Sequence, residues 1–423
     1  MSFKTISVIG LGYIGLPTAA MFASKQVKVV GIDVNPDIVN IINTGEIHIF
    51  EPKLAVMVEE AVEKGFLRAT ISPEPADAFI IAVPTPFLPV DSEGEIPQPD
   101  LTYIWSAANS IAKVLKKGDL VILESTSPVG ATEQMAKLME GLRADLSFPH
   151  THGEMSDIRI AYCPERVLPG HVVAELVSND RVVGGMTRAC SDLAIELYEL
   201  FVQGECFVTN ARTAEMAKLT ENASRDVSIA FANELSIVCD KIDIDVWELI
   251  SLANRHPRVN ILQPGPGVGG HCIAVDPWFI VSSAPHEAKL ITSARQVNDS
   301  KPDWVVEKIK LAIANILRIN STKSASELKI ACYGLSFKPN IDDMRESPAL
   351  LVANKVIDMH PGVVMLVDPN VNKLTEHYDD KLLVDFDIAS READIHVLLV
   401  DHTEFKDRCP IDGQIIDTKG IWS

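Results

Sequence analysis

The chain has 423 residues, enough for two or three domains whose cores need no disulfide or metal staple. Its 47% hydrophobic and 23% charged content is an ordinary soluble balance. The net charge of -20 argues against nucleic acid or an anionic membrane as the main partner, while a small anionic substrate remains open to local Arg and Lys.

Seven cysteines, scattered and with no C-x-x-C pair, argue against a zinc ribbon or a disulfide framework and fit the reducing cytoplasm. No apolar run approaches a membrane span, and Met1-Ser-Phe-Lys leads straight into a strand with no signal peptide.

Residues 4–9 read as a short apolar strand, followed at once by Gly10-Leu-Gly12-Tyr13-Ile14-Gly15, a helix over 14–24 and a strand over 27–32 that ends at Asp33. This is the dinucleotide-binding pattern in its strand–turn–helix context. Gly10 makes the turn, Gly12 admits backbone to a pyrophosphate, and Gly15 lets helix pack on strand. A helix N-terminus stabilises phosphate charge. Asp33 stands where a carboxylate accepts from ribose hydroxyls and repels a 2'-phosphate, which favours NAD over NADP.

Runs over 78–83 and 120–123 are further strands, and Thr85 and Thr126 follow their ends, where ligands of open parallel sheets sit. Turn and cap chemistry explains those threonines equally well. Segments 87–100 and 145–158 read as loops, and His150 and His152 lack a third ligand at a recognisable metal spacing. A strand over 158–162 runs into Glu165-Arg166-Val167; a neighbouring Glu-Arg pair is ordinarily a surface ion pair of little value. Strands over 181–185 and 206–208 close the first sheet.

From 211 to 255 the pattern is helical. Lys218, Asn222 and Arg225 share one face at i, i+4 and i+7, between apolar neighbours. A solvated polar stripe is the competing reading; a buried lysine there has a lowered pKa suited to proton transfer. His256-Pro-Arg258 opens a loop into Pro264-Gly-Pro-Gly-Val-Gly-Gly-His-Cys272. Asp276-Pro277 reads as an N-cap with proline at the first helical position, so Cys272 lies just before a helix start, where N–H groups favour thiolate. The bland alternative is a buried structural thiol.

Residues 286–318 form a long helical spine, which Pro302 should kink or divide. A second α/β pattern follows, with strands over 328–334, 363–367, 395–400 and 414–416. Ser347-Pro348 opens a helix, and Lys338 and Arg345 flank its N-terminus, a plausible diphosphate site or simply two exposed basic residues. The expected fold is α/β: two Rossmann-like doubly wound domains, 1–210 for NAD and 319–423, joined by a helical central region, 211–318, with a long spine helix.

Taken together, Gly10-x-Gly12-x-x-Gly15, Glu124-Ser-Thr126-Ser-Pro-Val-Gly, Pro164-Glu165-Arg166, Glu215-Met-Ala-Lys218-x-x-x-Asn222, Gly267-Val-Gly269-Gly-His271-Cys272-x-x-x-Asp276-Pro and Phe337-Lys338 with Arg345-Glu-Ser resemble the UDP-sugar 6-dehydrogenases, in the family's order and over nearly the whole chain. The lysine that precedes the aspartate in the UDP-glucose branch is absent. The His271-Cys272-Ile form is similar to dehydrogenases of UDP-N-acetylhexosamines, and Asn254-Arg-His256-Pro-Arg258-Val-Asn260-Ile-Leu-Gln-Pro-Gly-Pro-Gly267, with the rest of the chain, resembles the N-acetylmannosamine branch.

The resemblance implies a four-electron oxidation of a C6 alcohol to a carboxylate by two NAD, with Cys272 forming a thiohemiacetal and then a thioester. It also implies Lys218 and Asn222 at the C6 oxygen, Asp276 orienting water or setting the lysine, and Glu165 as a further proton-transfer group. Arg166, Val167, Arg225 and Gly269 would contact substrate, Lys338 and Arg345 would grip UDP in a UDP-sugar-binding domain over 319–423, and His256 and Arg258 would reach the sugar nucleotide across a homodimer. No metal, nucleic acid or membrane is implied. A two-electron hydroxyacid dehydrogenase and a non-catalytic NAD sensor are the competing readings.

Overall fold

The computed structural model describes residues 3–49, 51–89, 95–168, 170–270, 272–371, 373 and 382–422. They form two compact units: Met1–Glu221 with Trp278–Pro285, and Asn222–Pro277 with His286–Ser423.

The first unit carries a sheet of β1 (Thr5–Ile9), β2 (Lys28–Ile32), β3 (Leu67–Thr70), β4 (Ala78–Ile81), β5 (Leu120–Leu123), β6 (Arg159–Tyr162), β7 (Arg181–Gly185) and β8 (Cys206–Asn210). Their order is β3-β2-β1-β4-β5-β6-β7-β8, so the chain reverses direction across the sheet between β1 and β4. Its helices are α1 (Gly15–Ser24), α2 (Pro36–Asn43), α3 (Leu54–Glu63), α4 (Thr102–Ala112), α5 (Ala131–Leu142), α6 (Pro149–His152), α7 (Val172–Ser178) and α8 (Arg188–Tyr198).

Strands buried on both faces need apolar residues at every position. In β4, Ala78 and Ile80 enter the core under α1 and α8, while Phe79 and Ile81 enter the core under α4 and α5. In β5, Leu120 and Ile122 face the first core and Val121 and Leu123 the second. The open parallel sheet expected from the strand patterns is not found throughout: β6 pairs with β7 antiparallel, and β8 runs parallel to β7. The expected loop 145–158 contains α6, and His150 in it is bonded to Glu140 at 2.9 Å.

Two 31-residue helices follow, α9 (Ala211–Lys241) and α12 (Lys289–Ile319), with α10 (Val246–Ala253) and α11 (Asp276–Ser283) between them. Contrary to the expected division at Pro302, α12 runs through it unbroken. The second unit also holds α13 (Pro348–Met359), α14 (Phe386–Glu392) and a parallel sheet of β9 (Lys329–Tyr333), β10 (Val363–Val367), β11 (Ile395–Leu398) and β12 (Gln414–Asp417) in the order β10-β9-β11-β12. Ile330 and Cys332 face α12 and α13, while Ala331 and Tyr333 face an aromatic core of Phe386, Phe405 and Trp422.

The two sheets open with one local design. Gly10 (φ +90°) and Gly334 (φ +88°) leave β1 and β9, and each next amide donates to an acid at the end of the neighbouring strand: Leu11 to Asp33 at 3.1 Å, Leu335 to Asp368 at 2.7 Å. Asp33 is half-buried. Asp368 is buried and also takes a bond from His402 Nε2 at 3.1 Å, the imidazole Nδ1 accepting from the Asn340 amide.

Candidate active site

The three fingerprint glycines each meet a different constraint. A Cβ on Gly10 would stand 2.5 Å from the Ala82 carbonyl oxygen, and one on Gly15 would stand 1.8 Å from the Gly10 oxygen. Nothing lies within 4 Å of the corresponding point on Gly12, which leaves backbone open to a ligand. No side chain caps the N-terminus of α1 at Ile14, so its amides remain available to phosphate.

Tyr13 is 43% exposed, and Ile14 and Asp33 are half-buried beside this turn. Thr85 follows β4, at the reversal of strand order, and Thr126 follows the neighbouring β5; both are partly buried. Ser125 ties those strand ends together by donating to Val83 O at 2.7 Å. Open glycine backbone, an uncapped helix start and a carboxylate at the end of β2 fit NAD. Bound NAD would lie along Gly10–Gly15 with its ribose at Asp33.

The start of α9 is fastened by Glu215, which is fully buried. Its carboxylate accepts from Gly130 N at 2.5 Å and from Thr132 N and Oγ1 at 2.8 and 2.6 Å, filling the N-terminus of α5 with an anion. Lys218 lies one turn further on; it is half-buried, not buried as expected from its apolar neighbours. Asn222 is half-buried and Arg225 exposed on the same face. Asn222 Nδ2 donates to Asp276 Oδ2 at 2.5 Å, and Asp276 is 2% exposed. Asp276 is the first residue of α11 rather than its N-cap, so its carboxylate is turned to Asn222.

Cys272 is exposed, which excludes the buried structural thiol. Its carbonyl accepts from the Val275 and Asp276 amides at 3.1 and 2.9 Å, a tight turn leading into α11. The preceding glycines are needed for packing. A Cβ on Gly269 would stand 2.3 Å from Glu346 O, and one on Gly267 would stand 2.9 Å from Pro348 and 3.3 Å from Asn298 O. Pro302 has no N–H to offer the Asn298 carbonyl, so Gly267 packs on a notch that the proline opens in α12. A buried chain of amides holds the loop from the other side: Gly265 N donates to Asn233, Asn233 to Asn298, and Asn298 to Asp226, at 2.8–2.9 Å. His271 lies outside the described residues.

Glu165 and Arg166 do not form the surface pair that their adjacency suggests. Glu165 is buried; Oε1 accepts from the Arg166 amide at 2.7 Å and Oε2 from Arg181 at 2.6 Å. Arg166 pairs instead with Glu221 at 2.8 Å. Val167 packs on the first core, and Glu51 and Glu175 hold this loop through the amides of Gly170 and Leu168.

In the second unit, Lys338 is half-buried and Arg345 exposed with Asp343 at 2.7 Å. Ser347 caps α13 with its own hydroxyl, so that helix start is already satisfied in part. His256 and Arg258 are both exposed beyond α10. Sequence reasoning missed Glu124, Arg181, Tyr198, Glu215 and His402. For Glu124 and Arg181 the signal was a charged residue at the end of an apolar strand; Tyr198 and Glu215, on helices, gave none.

The chain matches three domains of one family in order: the UDP-glucose/GDP-mannose dehydrogenase NAD binding domain at 4–202, the central domain at 212–300 and the UDP binding domain at 331–423. It is 61% identical to UDP-N-acetyl-D-mannosamine dehydrogenase of Salmonella typhimurium over the whole of both chains. It is 59% identical to NDP-N-acetyl-D-galactosaminuronic acid dehydrogenase of Ralstonia nicotianae, covering all of this chain and 97% of that one. A solved UDP-D-ManNAc dehydrogenase of Pyrococcus horikoshii superposes with a TM-score of 0.84 at 38% identity, over 99% and 96% of the two chains. The chain therefore belongs to the UDP-glucose/GDP-mannose dehydrogenase family and is an NAD-dependent nucleotide-sugar dehydrogenase.

Proposed function

We propose that the protein oxidises C6 of UDP-N-acetyl-D-mannosamine to the carboxylate, UDP-N-acetyl-D-mannosaminuronate, with two NAD per sugar. The observation that carries this is Cys272: an exposed thiol on a glycine loop clamped by buried side chains, one turn before an aspartate bonded to Asn222. Bound NAD supplies the hydride acceptor for each of two oxidations.

The first oxidation leaves an aldehyde, and Cys272 sulfur adds to its carbon to give a thiohemiacetal whose new hydroxyl is the substrate of the second. Loss of hydride from that carbon and of the hydroxyl proton gives a thioester; water cleaves it to the acid and regenerates the thiol. Lys218 and Asn222 hold the C6 oxygen as its charge develops. Asp276, fixed by Asn222, orients water, and Glu165 takes a proton in the hydrolytic step. Arg166, Val167, Arg225 and Gly269 contact the substrate, and Lys338 and Arg345 hold the diphosphate; Arg345 must then exchange Asp343 for phosphate.

Phe231, Val238 and Ile242 form an exposed apolar stripe at helical spacing along and just beyond α9, 54%, 46% and 58% exposed. We place a second copy of the chain against it, with His256 and Arg258 reaching the partner's sugar nucleotide. Phe231→Glu should then yield monomers by light scattering. The cytoplasm is the proposed location, and an acidic sugar for a bacterial surface polysaccharide of the enterobacterial common antigen kind is the proposed use.

The test is a panel of UDP-hexoses and UDP-N-acetylhexosamines scored for two NADH per acid. One NADH per sugar would fit a two-electron hydroxyacid-type enzyme and remove the reading. The Ralstonia relative supports another UDP-N-acetylhexosamine as the second reading; preference for that epimer in the panel would select it.

A further inference from the structure

A buried charge cluster lies at the carboxyl edge of the first sheet. Because β7 runs opposite to β6, its first residue, Arg181, arrives where β5 and β6 end. Arg181 Nη2 donates to Glu165 at 2.6 Å, and Nη1 lies 3.5 Å from Glu124 Oε1. The guanidinium stacks 4.2 Å from the Tyr198 ring centre, and Tyr198 donates to the same Glu124 oxygen at 3.0 Å. Side-chain exposures are 4% for Arg181, 0% for Glu124 and 7% for Glu165. Two carboxyl groups therefore share one cation away from water. Both Glu165 oxygens are engaged, whereas Glu124 Oε2 has no hydrogen-bond partner among the described residues.

The proton count follows from charge. Fully ionised, the cluster buries one uncompensated negative charge; with one proton it is neutral. The proton belongs on the carboxyl with the weaker hold on the guanidinium. On distance and bonding that is Glu124, since Glu165 has both the short Arg181 bond and a backbone amide.

We propose that Glu124 carries the cluster's single proton, leaving Arg181 to hold Glu165 ionised and aimed, so that Glu124 and Arg181 are positioning residues for Glu165. The functional half of this rests on the reading in which Glu165 takes a proton. Burial raises the Glu124 carboxyl to about 8, the charge of Glu165 adds to the rise, and Arg181 and Tyr198 oppose it. Cys163, whose thiol burial raises, and Cys206 also face Arg181, with Asp180 and Glu199 beside Cys206. When Glu124 loses its proton it competes with Glu165 for Arg181, loosening the carboxylate that receives the proton.

Glu124→Gln tests this, because an amide mimics the neutral acid. Infrared pH-difference spectra of the whole enzyme should show a protonated carboxylic acid at neutral pH that is missing in Glu124→Gln. The alkaline limb of kcat should move up by about one pH unit in the same variant. Arg181→Lys, which keeps the charge and loses the fork, should lower kcat about tenfold with the KM for NAD little changed. An unaltered infrared band in folded Glu124→Gln overturns the proton assignment. An unmoved alkaline limb, or wild-type kcat in Arg181→Lys, overturns the positioning role and leaves a structural ion pair alone. The band is read without turnover, so an error in the assigned sugar does not disturb it.

Discussion

Lys301 offers a quantitative test of how α12 is buried. The residue is 2% exposed, its Nζ donates to Ser236 Oγ at 2.5 Å, and it lies 3.6 Å from the Trp304 ring centre. Burial lowers its pKa from 10.5 to about 7; Asp240 opposes the shift, and Lys308 adds to it. The folded state thus binds fewer protons than the unfolded chain from about pH 7 up to about pH 10.5, so this group makes stability rise with pH across that window. From those two pKa values, the gain between about pH 7 and about pH 9 is about 2 kcal/mol.

Lys301→Met keeps the volume and removes the charge. It should be about 2 kcal/mol more stable than wild type near pH 7, the relieved burial penalty outweighing a lost cation–π contact and hydrogen bond. Its advantage should shrink as pH rises. Hydrogen exchange of α12 amides in both proteins reads this difference locally. Parallel pH slopes for the two proteins, or a variant less stable at neutral pH, would refute the burial argument.

Glu215→Gln should cost about 2–4 kcal/mol, because an amide cannot accept from Gly130 and both Thr132 donors at once, and kcat should fall through displacement of Lys218; denaturation midpoints and steady-state kinetics check the two effects. Gly269→Ala must shift the Cys272 loop away from Glu346 O, and a displacement of about 1 Å predicts a loss in kcat on the order of a hundredfold; wild-type kcat would show that loop position is unimportant. Cys272→Ser should form no acid and can retain a covalent adduct visible by intact-mass spectrometry with excess NAD; full four-electron turnover would remove the thiol from the mechanism.

The parts of the site set by local chain geometry were readable in advance. Gly10, Gly12 and Gly15 act within a few residues of one another, and strand ends follow from apolar runs, so the nucleotide crevice and Thr85 and Thr126 could be placed from sequence. Long-range pairing could not. Arg166 looks like the partner of Glu165, yet Arg181 holds it, because the direction of β7 is not written in its five residues. Lys218 sits between apolar neighbours, but tertiary context leaves it half-buried. Pro302 is tolerated inside α12 because its cost is met by the packing of Gly267, 35 residues earlier in the chain, which no local pattern encodes.

His402 has a consequence for ligand sorting. A protein that uses one nucleotide cradle twice risks each half accepting the other's guest. In the first cradle Asp33 is half-buried and takes backbone amides alone among the described residues; in the second, Asp368 is also held by an imidazole and closed off from solvent. On the proposed reading in which each unit takes a nucleotide, a single side chain thereby strips the later copy of a hydroxyl acceptor, and a dinucleotide would find only one of the two berths equipped to receive it.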